Sequence, residues 1–96
     1  MESVKLFKLF SKAADLNEII VMSINHYCLS FMSNNELEFS KWSIGMTNDD
    51  KISCDRKWEC ASDKEANDTK RFFTEYKSMK SINGEGRFIY VNKINH

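Results

Sequence analysis

The side chains able to do chemistry are few and scattered. Three cysteines stand at Cys28, Cys54 and Cys60, and two histidines at His26 and His96. A zinc site needs about four ligands, and no Cys-x-x-Cys pair occurs to start one. An odd number of loosely spaced cysteines predicts reduced, buried or half-buried thiols. A cysteine nucleophile needs a base beside it, so Cys54 or Cys60 could work with His26 only if the fold joined them. Gly84-Glu85-Gly86 lacks the lysine and hydroxyl that follow in a phosphate-binding loop, and reads as a connection. The most concentrated group is basic: Lys70, Arg71, Lys77, Lys80 and Arg87 lie in the last third of the chain. That set, with an exposed aromatic for stacking, is the chemistry of a nucleic-acid binder.

Charge bounds that reading. The net charge is zero, yet residues 1–69 carry eight bases against twelve acids and residues 70–96 six bases against two acids. A zero total argues against strong non-specific nucleic-acid binding, which draws on many phosphate contacts. A local basic patch remains compatible with it. From Glu36 to Asp68, nine acids against five bases offer the opposite option. That stretch, with Asp49 and Asp50 in it, could engage a basic partner.

The elements that must position these residues belong to one domain of 96 residues, 42% apolar and 29% charged. Proline is absent and only three glycines occur, which argues against a loop-rich architecture. No run approaches the roughly 20 apolar residues of a membrane span. The first fifteen residues do not read as a secretory signal, so a cytoplasmic protein is expected, in a bacterium or an infected host cell.

Residues 4–16 read as an amphipathic helix, with Leu6, Leu9, Phe10, Ala13 and Leu16 on one face and Lys5, Lys8 and Lys12 on the other. Asn17 is placed to cap a second helix over 18–32, with Ile20, Ile24, Tyr27, Cys28 and Phe31 at helical spacing. The β-branched start Ile19-Ile20-Val21 makes a strand the competing reading. Ser33-Asn34-Asn35 closes the segment. Residues 37–46 read as extended around Trp42 and Ile44, Thr47 to Asp50 as a turn, and Arg56 to Ala61 as a short strand. Ser62-Asp63-Lys64-Glu65 is a capping box. The helix after it runs to about Met79, with Ala66, Thr69, Phe72, Phe73, Tyr76 and Met79 buried. Lys70, Thr74, Lys77 and Ser81 face outward. Asn83 to Gly86 is a loop, and Arg87 to Asn92 alternates as the last strand. The expected fold is α+β, a mixed sheet of about three strands packed by two or three helices, in the order α-α-β-β-α-β. Residues 1–36 form its helical part and 37–96 its α+β part.

In order and spacing, part of the chain resembles the GIY-YIG nucleases. Trp42 to Thr47 match the family's strand ending in an IGxT turn. Trp58 to Ser62 match the following strand and helix start, Ala66 to Phe73 the helix, and Phe88 to Val91 the closing strand. The likeness covers roughly residues 40–93. Active members use tyrosines, an arginine, and a glutamate that holds a divalent metal. In this chain the tyrosine of the second signature falls on Ser43, no GIY tripeptide lies upstream, and the helix glutamate aligns with Lys70. A lysine cannot bind Mg²⁺, whose ligands are oxygens. The resemblance therefore implies a degenerate nuclease fold with no catalytic residue and no cofactor.

Three functions follow as expectations. The first is a non-catalytic binding or inhibitor protein acting on a protein partner. The Lys, Asn, Ile and Ser bias fits an AT-rich phage or mobile element, whose small proteins include inhibitors of host defence, CRISPR systems among them. The second is a divergent metal-dependent nuclease using Mg²⁺ with Arg56 and Glu59 or Glu65. The third is a small nucleic-acid-binding protein using the basic set.

Overall fold

The computed structural model describes residues 16–32 and 38–94. Apart from Leu16, the helix expected over 4–16 lies outside the described residues, as does Ser33-Asn34-Asn35.

Helix α1 spans Glu18–Leu29. Asn17 precedes it in extended conformation, and its side-chain oxygen accepts from the amides of Ile19 and Ile20. These are donors that a first helical turn leaves unpaired. The cap, together with the buried face of Val21, Ile24 and Cys28, makes the Ile-Ile-Val start helical despite its branching. The helix stops three residues short of the expected end.

The extended reading of 37–46 needs a correction. Phe39–Lys41 is a 3-10 turn, and strand β1 begins at Trp42 and runs to Thr47. Phe39 and Trp42 are both buried, and their spacing of three suits that turn better than a strand. Strand β2 is Arg56–Glu59, shorter than the expected run to Ala61.

Helix α2 spans Asp63–Tyr76. The Ser62 hydroxyl accepts from the Glu65 amide at 3.1 Å, and the Glu65 carboxylate accepts from the Ala61 amide at 3.2 Å. The box thus closes on the Ala61 amide, one residue before the serine amide that a capping box ordinarily uses. The helix ends before Met79. Ser78 takes a left-handed φ of 64°, and the Met79 amide returns to the Phe73 carbonyl at 3.1 Å. Met79 is buried as expected, but from beyond the helix, while Tyr76 stays 44% exposed. Of the side chains read as outward-facing, Lys70, Thr74 and Lys77 are half-buried and Ser81 is exposed.

A further strand appears where the sequence reading placed none. Strand β3, Lys80–Ser81, lies parallel to β1, with Ser43 opposite Lys80 and Ile44 opposite Ser81. Strand β4 is Phe88–Lys93 and lies antiparallel to both β1 and β2. The four-stranded mixed sheet has the order β2-β4-β1-β3. The fold is α+β, and the described order is α-β-β-α-β-β.

Alternation divides the sheet. Trp42, Ile44 and Met46 of β1 and Ile89 and Val91 of β4 join Val21, Ile24 and Cys28 of α1 and Ala66, Phe72 and Phe73 of α2 in one core. The other face carries Ser43, Gly45, Thr47, Phe88, Tyr90 and Asn92. Gly45 sits opposite Tyr90. A Cβ on Gly45 would stand 2.7 Å from the Tyr90 Cζ and hydroxyl, so the tyrosine ring occupies the space a side chain would need. Gly86, at φ 138°, passes the Thr47 peptide so closely that its Cβ would stand 2.2 Å from the Thr47 carbonyl carbon. Among the described residues no helix is long and apolar enough to cross a membrane.

Candidate functional site

The stretch Trp42 to Asp49 is built as a strand and its turn. Thr47 and Asp49 shape the turn: the Thr47 hydroxyl accepts from the Asp49 amide at 3.0 Å, and the Asp49 carboxylate from the Lys51 amide at 2.9 Å. Asp49 and Asp50 are both exposed there. Ser43 donates to the Asn92 carbonyl across the sheet at 3.3 Å. Its hydroxyl is engaged in cross-strand bonding.

The structure does not bring the three candidate nuclease residues together. Arg56 and Glu59 stand an odd number of positions apart on β2, so they leave opposite faces of the sheet, roughly 10 Å apart along the strand. Arg56 lies on the helix-bearing side. Its guanidinium sits 5.5 Å from the centre of the Tyr27 ring and 5.6 Å from that of Trp58. Glu59, on the other side, pairs with Arg87 at 2.9 Å. Glu65 holds the start of α2. Among the described residues, no group of three or more His, Cys, Asp or Glu is placed to hold a metal ion.

The basic set is also divided. Lys70 donates to the Ile82 carbonyl at 2.6 Å and ties α2 to the segment after β3. Arg71 contacts Asp68 at 3.7 Å and Glu75 at 3.5 Å on its own helix. Lys77 lies over the Phe39 ring at 5.5 Å. Lys80 is exposed on β3, at one edge of the sheet. Arg87 stands near the other edge with Glu59, its guanidinium 5.8 Å from the centre of the Phe88 ring. Lys70, Lys77 and Lys80 thus lie around the end of α2 and β3, while Arg87 does not join them.

The thiols are free. Burial pushes Cys28 up to about 12. Burial, with a smaller contribution from the Glu65 carboxylate, does the same to Cys60. Cys54 is half-buried and also raised, chiefly by burial, with Lys57 opposing. A protonated, desolvated thiol is a poor nucleophile.

Two features escaped the sequence reading. The first is an aromatic cluster joining α1 to the sheet. Tyr27 packs edge-on against Phe31, Trp42 and Trp58, with centroids 5.1, 6.0 and 6.0 Å apart. The Trp58 indole donates to the Ser23 hydroxyl at 2.9 Å. The second is the outward side of α1. Ile19 is 79% exposed and Met22 is 62% exposed, one turn apart and away from the Val21–Ile24–Cys28 stripe. A signal was present: α1 has apolar residues at spacings that no single face can hold. No protein-family profile, curated protein or solved structure matches this chain.

Proposed function

We propose that this chain is a non-catalytic protein-binding module on a degenerate GIY-YIG-like framework, acting as an inhibitor of a host protein complex. The observation that carries the binding reading is the outward face of α1. Ile19 and Met22 hold large apolar side chains in water on a capped helix. Two large apolar side chains left exposed one turn apart on one helix face support reading that face as an interaction surface. The non-catalytic part draws support from the employment of the candidate residues: Glu59 in an ion pair, Glu65 in a cap, Lys70 on a backbone carbonyl and Ser43 in the sheet. The anti-defence target follows the sequence resemblance and composition.

The test is affinity capture from the host with the wild-type chain and with an Ile19→Asp/Met22→Asp variant. Both substitutions sit on exposed positions, so circular dichroism should show the variant folded. A partner retained by the wild type and lost by the variant is expected. The same partner held equally by both would refute the surface. DNA or RNA cleavage with Mg²⁺ or Mn²⁺ would refute the non-catalytic reading.

A further inference from the structure

Strand β2 forms one edge of the sheet. Its hydrogen bonds to β4 are spaced by register. The Cys60 amide bonds the Arg87 carbonyl just past one end, and the Asp55 amide bonds the Val91 carbonyl just before the other. With Arg56 opposite Val91 and Trp58 opposite Ile89, alternation turns the backbone groups of Arg56 and Trp58 toward β4. Those of Lys57 and Glu59 point away from the sheet. No described residue pairs with these outward groups.

An edge like this invites another strand, and proteins usually guard it with charge. Here the two outward positions carry opposite charges. We propose that β2 pairs antiparallel with β2 of a second copy, about a twofold axis at Trp58, giving one continuous sheet across both chains. The register is selected by charge. A continuous sheet sets residues of the same face opposite each other, and the outward backbone groups of Lys57 and Glu59 must meet their counterparts. Pairing Lys57 with the partner's Lys57, or Glu59 with the partner's Glu59, sets like charges directly opposite, which is destabilising. Pairing Lys57 with the partner's Glu59 sets opposite charges at both symmetric positions. Each such pair exchanges both backbone hydrogen bonds. Trp58 then meets the partner's Trp58 at a non-hydrogen-bonded position, where side chains approach most closely. The interface is isologous and closes on itself.

The test combines sedimentation with amide exchange on the full chain. A monomer–dimer equilibrium is expected, with the Lys57 and Glu59 amides gaining protection as the dimer forms. Lys57→Glu turns both cross-strand attractions into repulsions and should weaken the dimer about tenfold or more. Glu59→Lys should do likewise, and the double reversal Lys57→Glu/Glu59→Lys should restore association. A wild-type chain that stays monomeric up to about 1 mM overturns the proposal. So does a dimer whose Lys57 and Glu59 amides exchange freely, or a folded double reversal as weak as the single variants. A dimer abolished by Ile19→Asp but indifferent to Lys57→Glu would also overturn edge pairing, while leaving the α1 surface standing.

Discussion

Gly45→Ala tests why β1 carries a glycine at all. Gly45 does not adopt a left-handed φ, so its backbone does not require glycine. The requirement comes from Tyr90, whose ring tip would lie 2.7 Å from a Cβ there. Carbon atoms settle at about 3.5–4.0 Å, so the ring must retreat by roughly 1 Å. Tyr90 is only 6% exposed and has little room to do so. Overpacking of this kind costs about 1–3 kcal/mol. Against it stands a gain of about 0.4–1 kcal/mol from stiffening the unfolded chain. The net loss should be about 1–2 kcal/mol, a fall in Tm of roughly 5–15 °C for a domain of this size. In a Tyr90→Val background the ring is gone, and Gly45→Ala should become mildly stabilising. Urea denaturation of the four proteins, followed by tryptophan fluorescence, gives the coupling energy. An equal loss in both backgrounds would refute the argument and return Gly45 to a role the sheet does not explain.

The remaining predictions concern the thiols and the helix starts. Cys28 and Cys60 rise from 9.0 to about 12 on folding, so between those values the folded chain keeps protons that the unfolded chain has lost. Their contribution to stability is complete below pH 9 and fades as pH climbs toward about 12. Denaturation midpoints below and above pH 9 should therefore fall less in a Cys28→Ala/Cys60→Ala variant than in the wild type. Asn17→Ala and Ser62→Ala should each cost about 1 kcal/mol in chemical denaturation, because each leaves first-turn amides without their acceptor. A loss near zero at Asn17 would mean that core packing alone sets the start of α1.

Where the sequence was legible, the cause was local. The Ser62–Glu65 box and the Asn17 cap depend on neighbours within four residues, and local sequence order alone reveals them. The alternation of Phe88 to Lys93 likewise announces a strand facing a core on one side. Strand β3 could not be read, because Lys80-Ser81 has no strand pattern of its own and becomes a strand only by lying beside Ser43 and Ile44. Tyr76 was misjudged because the helical spacing continues to Met79 in the sequence, while the chain turns at Ser78. The candidate site was less legible than the fold. Arg56 depends on rings brought from α1, and Lys70 on a carbonyl beyond the helix end. One clue was available and unused: an odd spacing on a strand already sends Arg56 and Glu59 to opposite faces.

The strand order carries a consequence for how this chain comes into being. Strands next to each other in sequence are never next to each other in the described sheet. The first strand finds both of its neighbours, β3 and β4, in the last fifth of the chain, and β2 finds its neighbour there too. No hairpin can form early and wait. Loop closure must be met before any pairing repays it, which makes such folding slow. During synthesis the first two strands emerge with nothing to pair with, as exposed segments that invite aggregation. The strand from Phe88 to Lys93 is the keystone: a chain cut short before it would keep only the two-residue pairing of β3 with β1 and would leave β2 without a neighbour.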